Sequence, residues 1–109
     1  MKGTQMNELV AQIISDLEAE WEKPGGFLGN LRVGQFDPNG VARLLGILGR
    51  VNVVNEILIS RRLVSLIWYI PIFMTWQRER VSAGGVNAEV YEIAINQVET
   101  LVEKILGVP

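Results

Sequence analysis

The sequence predicts an all-α protein: a compact bundle of four to five helices that forms a single domain over residues 1–109. Two segments near the ends of the chain carry apolar residues at helical spacing. Between them, residues 63–76 read LVSLIWYIPIFMTW and contain no charge. Helix-capping and helix-breaking residues separate the apolar segments. Three amphipathic helices around one apolar helix satisfy this pattern.

Composition is that of a folded globular protein, and it lacks two residue types that enzymes commonly use. The chain is 49% hydrophobic and 20% charged, and its net charge of −2 gives no bulk electrostatic case for nucleic-acid binding. Because histidine and cysteine are absent, the usual general base, thiol nucleophile and metal ligands are missing. We therefore expect no catalysis, no cofactor and no metal. The lack of cysteine and of an apolar leader in MKGTQMNELVAQ predicts a cytoplasmic protein.

Helix one is predicted from about Thr4, a capping residue, to Trp21, ahead of the helix-breaking Pro24-Gly25-Gly26. Its apolar stripe consists of Leu9, Val10, Ile13, Ile14, Leu17 and Trp21. Residues 22–40 then predict a long, ordered, Gly/Pro-rich loop between helices one and two. Its apolar side chains should fold onto the bundle: Phe27, Leu28, Leu31, Val33 and Phe36. A phosphate-binding loop is disfavoured, because Gln35 stands where lysine is needed.

Asp37-Pro38 predicts the start of helix two, and Gly49 its end. Asn52 is the expected cap of helix three, which continues to about Ile70. Pro71 leaves two alternatives open: a kinked helix, or the start of a new short helix that reaches about Arg80. Residues 82–85 end that unit.

Asn87 is the predicted cap of helix four, and Glu89 in the first turn complements the helix dipole. The apolar stripe of this helix consists of Val90, Tyr91, Ala94, Val98, Leu101, Val102, Ile105 and Leu106. Gly107 and Pro109 close the helix.

The uncharged segment 63–76 is shorter than the roughly twenty residues of a membrane-spanning helix, and arginines flank both of its ends. We therefore expect it in the core of a bundle rather than in a membrane. Its aromatic residues are too many for a small domain to bury completely: Trp68, Tyr69, Phe73 and Trp76. Trp76 lies one turn before Arg80, and both residue types are enriched at interface hot spots.

Charge is segregated along the chain. Residues 1–23 carry −3, residues 24–88 carry +4 and residues 89–109 carry −3. If helices one and four pack side by side, they create an acidic face from Glu18, Glu22, Glu92, Glu99 and Glu103. Such a face is either an ordinary solvated surface or a binding surface for a basic partner. A di-metal site is disfavoured, because the Glu-x-x-His pattern of helical bundles needs histidine.

In architecture and charge, the chain is similar to the small acidic helical bundles that bacteria use as immunity or inhibitor proteins. That resemblance implies a domain that neutralises a basic toxin by occluding its active site, without nucleic acid or membrane as a partner. The expected partner-binding residues are Glu18, Glu22, Glu92, Glu99, Glu103, Trp76 and Arg80. One alternative is a homo-oligomeric structural or adaptor protein that buries residues 63–76 between subunits. Another is a small-ligand pocket lined by Trp68, Phe73 and Trp76.

Overall fold

The computed structural model describes the backbone of residues 2–22, 24–54 and 60–109, and the side chains of residues 8–22, 24–51 and 60–109. Every regular element in these ranges is a helix, which confirms the predicted all-α class. In chain order the helices are α1 (Lys2–Glu22), α2 (Phe27–Leu31), α3 (Pro38–Val54), α4 (Arg61–Trp68), α5 (Ile70–Trp76), α6 (Arg78–Ala83) and α7 (Ala88–Leu106).

Helix α1 follows its predicted apolar stripe. Ile13, Leu17 and Trp21 are buried, whereas Leu9 lies at the exposed edge of the stripe. The predicted cap Thr4 lies outside the described side chains. The helix ends at Glu22, and Gly25 adopts a left-handed φ of 88° just beyond it, as the helix-breaking sequence predicts.

The prediction of a long loop over residues 22–40 is wrong. The short helix α2 occupies its centre, so residues 23–26 alone separate α1 from α2. Phe27, Leu28 and Leu31 are fully buried, and their spacing places them on one side of a helix. The inward packing of these apolar side chains is therefore confirmed, although Val33 stays in solvent. The pattern FLGNL is too short for its helical period to be evident in the sequence.

Helix α3 begins where predicted and ends later. The Asp37 Oδ1 atom accepts a hydrogen bond from the backbone N–H of Asn39 at 3.0 Å, which is the expected cap. Gly49 does not stop the helix, because it lacks the left-handed φ of the glycines that do end elements here. Asn52 therefore lies inside α3 and is not the cap of a third helix. Residues 55–59, which the sequence assigns to that third helix, lie outside the described residues.

Helices α4, α5 and α6 form one interrupted helical run. Ser60 caps α4, and Pro71 sits in the first turn of α5, so the alternative of a new short helix is the one observed. That helix ends at Trp76, before Arg80. Burial stays in phase across both breaks, since the buried side chains are Leu63, Ile67, Ile70, Met74 and Val81. Taken as one run, α4–α6 bring the described chain to five helical segments, within the predicted four to five.

Helix α7 starts at the predicted cap: the Asn87 side chain accepts hydrogen bonds from the backbone N–H groups of Glu89 and Val90. It packs on α3, α4, α5 and α6, whereas α1 packs on α2, α3 and α4. Helices α3 and α4 therefore contact both acidic helices. None of the helices in the described ranges is long and apolar enough to cross a membrane.

Candidate functional site

Helices α4 and α5 present a row of large apolar side chains to solvent. Trp68 is 50% exposed, Ile72 36% and Trp76 66%. Their spacing of four residues places them on one face of the helical run. We call these three residues the aromatic ridge. These neighbouring exposed apolar side chains make this face a candidate contact surface.

The ridge rests on a layer of packed aromatic rings. The Tyr69 ring lies 5.5 Å from Trp68 and 5.7 Å from Trp76, edge to face in both cases. Tyr69 also stacks on the buried Trp21 at 6.1 Å, and Phe73 meets Trp21 edge to face at 4.9 Å. Each exposed tryptophan therefore packs on one side against Tyr69, which in turn contacts the core through Trp21.

Two arginines lie near the Trp76 end of the ridge. The Arg32 guanidinium lies 5.4 Å from the centroid of the Phe73 ring, within cation–π range. Arg80 donates from Nη1 to the backbone carbonyl of Arg32 at 2.8 Å and to the Gln77 side chain at 3.1 Å. Gly34, with a φ of 79°, allows this approach, since a Cβ there would lie 2.8 Å from the Arg80 carbonyl oxygen. The predicted pair Trp76 and Arg80 thus lies on one exposed surface.

The predicted acidic residues are dispersed. Glu18 of α1 forms an ion pair with Arg62 at 2.7 Å, and Glu92 of α7 forms one with Arg78 at 2.5 Å. Because α1 and α7 each pack on α3 and α4 rather than extensively on each other, the condition for a shared acidic face is not met. The other three glutamates of that predicted set are exposed: Glu22 at the end of α1, and Glu99 and Glu103 one turn apart on α7.

Sequence reasoning missed a buried polar cluster between α1, α2 and α3. The Glu20 carboxylate is 4% exposed and accepts hydrogen bonds from the Phe27 backbone N–H at 2.8 Å and from Arg43 at 2.5 and 2.9 Å. The hydrogen bond to Glu20 raises the pKa of Arg43 above its usual range. Nearby, Arg50 hydrogen-bonds Asp16 and holds the pKa of that carboxyl below its usual value. The sequence signal was available: Glu20 lies three residues after Leu17, on the buried side of α1.

A groove between α6 and α7 contains Tyr91 above the Arg78–Glu92 ion pair. The Tyr91 hydroxyl is buried and donates to the Met74 carbonyl at 2.7 Å. Burial raises the pKa of Tyr91 to about 12, so this phenol stays protonated at neutral pH. The hydroxyl proton is therefore held in a hydrogen bond within the protein and is not available for acid–base chemistry.

A second groove lies between α3 and α7 and is lined by Leu45, Ile93, Leu101 and Lys104, among others. Ile93 is 57% exposed there. The predicted small-ligand pocket is not formed, because Phe73 is buried while Trp68 and Trp76 lie on the outer face of the same helical run. These three rings therefore do not enclose a common space.

Comparison with protein-family models, with curated proteins and with solved structures found no match to this chain. Within the described residues, no group of three or more acidic side chains is arranged to hold a metal ion. The candidate site is therefore defined by its own geometry: an exposed aromatic ridge with arginines near one end.

Proposed function

We propose that this chain is a non-enzymatic protein-binding domain whose recognition surface is the aromatic ridge. The exposure of Trp68 and Trp76 carries this proposal, since half or more of each side chain lies in solvent. A large aromatic side chain offers about 150–250 Å² in all, of which the exposed half to two-thirds is left for a partner to cover, and apolar burial contributes about 25 cal/mol per Å². Covering the ridge with a partner therefore supplies a large favourable free energy.

The packing of the ridge tryptophans supports the same proposal. The ring of Tyr69 packs edge to face against both ridge tryptophans and stacks on Trp21 in the core. Side chains that are already ordered lose little conformational entropy when a partner binds. Nearby, Arg32 and Arg80 add the third residue type that is enriched at interface hot spots.

The state of the buried polar groups supports a binding role rather than a catalytic one. The Glu20 carboxylate accepts hydrogen bonds from Phe27 and Arg43, and the Tyr91 hydroxyl donates to a backbone carbonyl. A general acid or base must exchange a proton with a substrate. Each of these two groups is instead hydrogen-bonded to another part of the protein.

The test compares a tagged wild-type chain with the double variant Trp68→Ala/Trp76→Ala in host cells that also express an untagged copy. Ile93→Ala is the matched control, because Ile93 is an exposed apolar residue on α7, outside the ridge. We expect quantitative mass spectrometry to show a protein that the wild type and the control retain and that the double variant loses. Equal retention by all three chains would contradict the proposal, provided that circular dichroism shows the same helix content.

A second candidate is the inhibitor function, with an acidic surface that occludes a basic partner. The observation that favours it is the pair Glu99 and Glu103, which are exposed on α7 one turn apart and form no ion pair with a described residue. Glu99→Lys/Glu103→Lys should then abolish capture of a basic protein, while the ridge variant retains it. Capture that depends on the ridge and not on these glutamates would exclude this candidate.

A further inference from the structure

The helical run that carries the aromatic ridge is basic. Between residues 60 and 83 the chain has four arginines and one glutamate, and therefore a net charge of +3. Two of these arginines are neutralised by neighbouring helices, since Arg62 pairs with Glu18 of α1 and Arg78 pairs with Glu92 of α7. The remaining positive charge belongs to the two ends of the run.

Both ends of the aromatic ridge keep a positive charge. Before the ridge, Arg61 is exposed and forms no ion pair with another described residue. After the ridge, the same is true of Arg32 and Arg80. Glu79 is also exposed at this second end, and two arginines beside one glutamate leave it positive. The ridge is therefore an apolar strip between two positive ends.

The arginines at the second end have hydrogen-bond donors left for a partner. Arg80 uses Nη1 for the Arg32 carbonyl and the Gln77 side chain, and its Nε and Nη2 atoms remain available. The Arg32 guanidinium rests on the face of the Phe73 ring and meets no carboxylate among the described residues. A partner that covers the ridge removes water from these groups, so it must supply acceptors in exchange. Carboxylates are the acceptors that pair best with arginine.

The spacing of the ridge matches the surface of another helix. Trp68, Ile72 and Trp76 recur every four residues, and Arg80 continues the same row. A row of this spacing packs into the groove between the side-chain rows of a neighbouring helix. When the two helix axes cross at about 20°, the contact continues along both helices and includes the ends of the ridge. From Arg61 to Arg80 the run covers roughly 28 Å, at a rise of about 1.5 Å per residue.

We propose that the partner of the aromatic ridge is an amphipathic helix of another protein, with an apolar centre and acidic residues at both ends. This inference rests on the proposed function, since it names the class of partner that the ridge binds. The apolar side chains of that helix cover the ridge, and its carboxylates pair with Arg61 at one end and with Arg32 and Arg80 at the other. A second copy of this chain does not provide this surface through its own ridge, because positive ends would meet positive ends.

The first experiment uses three synthetic helical peptides of about eighteen residues, which match the length of the run and share one stripe of leucines. The first peptide has glutamates at both ends, the second has lysines at those positions and the third has glutamines. Fluorescence anisotropy of each labelled peptide measures its affinity for the wild-type chain. We expect the glutamate peptide to bind about tenfold more tightly than the lysine peptide, with the glutamine peptide between them. A glutamate peptide that binds no more tightly than the lysine peptide would overturn the proposal.

The second experiment assigns this preference to the ends of the ridge. Arg61→Glu and Arg32→Glu should each weaken binding of the glutamate peptide about fivefold, and the double variant should prefer the lysine peptide. Lys104→Glu is the matched control, because it makes the same charge change at an exposed position on α7. The control should bind like the wild type to within about twofold. Equal weakening by the control would assign the effect to net charge and overturn the proposal, provided that circular dichroism shows the same helix content in all variants.

An anionic membrane surface is the alternative occupant that the test must separate. Lipid headgroups also supply negative charge to arginines, and tryptophan is enriched where a bilayer meets water. Vesicles of phosphatidylcholine and phosphatidylserine are therefore sedimented with the wild-type chain, with vesicles of phosphatidylcholine alone as the control. Recovery of the chain with the anionic vesicles, together with loss of that recovery in Trp68→Ala/Trp76→Ala, would overturn the helical partner in favour of a membrane. A chain that stays in the supernatant supports the helical partner.

These outcomes separate the acidic helix from the proposed function. If the ridge captures a protein while the peptides bind without a charge preference, the acidic helix is overturned and the binding function stands. If Trp68→Ala/Trp76→Ala changes neither capture nor peptide binding, both are overturned.

Discussion

At the scale of single residues, Glu20 connects three helices. Its carboxylate accepts the first backbone N–H of α2, at Phe27, and is held from α3 by Arg43. A negative charge at a helix N-terminus is favourable, and a buried charge is tolerated only when it is paired. The short helix α2 is therefore anchored at a residue that belongs to α1.

We predict that Glu20→Gln lowers the free energy of unfolding by about 1–3 kcal/mol, because the buried acceptor loses its charge opposite Arg43. Glu18→Gln is the matched control, since the Glu18–Arg62 pair is largely exposed and should contribute at most about 1 kcal/mol. Urea unfolding followed by circular dichroism measures both. Equal losses for the two variants would show that burial of Glu20 has no energetic consequence.

The buried Tyr91 predicts that the protein loses stability at alkaline pH. Its pKa is raised from 10.0 to about 12 by burial, so the folded state retains the phenolic proton that the unfolded state loses. Stability from this group is full below pH 10 and is lost as pH rises through 12, by about 3 kcal/mol in total.

Urea unfolding at a series of pH values measures this loss. Tyr91→Phe should cost about 1 kcal/mol at neutral pH, through the lost bond to the Met74 carbonyl, and should flatten the alkaline fall. An equally steep alkaline fall in the variant would assign the titration to other groups.

Residue-scale exposure in segment 63–76 could not be predicted from the sequence. When a segment is uncharged and apolar at nearly every position, the sequence does not indicate which face is covered. The packing of neighbouring helices decides this: Trp21 of α1 covers Tyr69 and Phe73, which leaves Trp68 and Trp76 outside. Trp76 and Arg80 were predictable as interface residue types, whereas Ile72 was not.

At the scale of elements, two predicted caps are confirmed, whereas a third, Asn52, lies inside α3. Asp37 and Asn87 both cap the helices predicted from them, because their side chains satisfy N–H groups that the helix leaves unpaired. Glycine was less informative: Gly25 and Gly85 adopt left-handed φ values after helices, whereas Gly49 continues α3. A glycine in a helix lowers helical stability without ending it, so its presence alone does not fix a boundary.

The glycines also provide a matched pair of variants. Gly46 lies inside α3 and Gly25 has a φ of 88°, and a Cβ at either position would meet nothing within 4 Å. We predict that Gly46→Ala raises the free energy of unfolding by about 0.5–1 kcal/mol, because alanine favours the helix. Gly25→Ala should lower it by about 1 kcal/mol or more, because its φ strains an L-residue. Urea unfolding should shift the midpoint upward for Gly46→Ala and downward for Gly25→Ala, relative to the wild type. Shifts in the same direction would contradict the prediction.

At the scale of the whole molecule, oppositely charged segments of the chain form ion pairs between helices. Arginines of the central segment reach the acidic terminal helices in four ion pairs: Arg43–Glu20, Arg50–Asp16, Arg62–Glu18 and Arg78–Glu92. The alternation of negative, positive and negative segments thus follows from which helices are neighbours. From the sequence alone it equally suggested a basic partner, because linear charge does not reveal internal pairing.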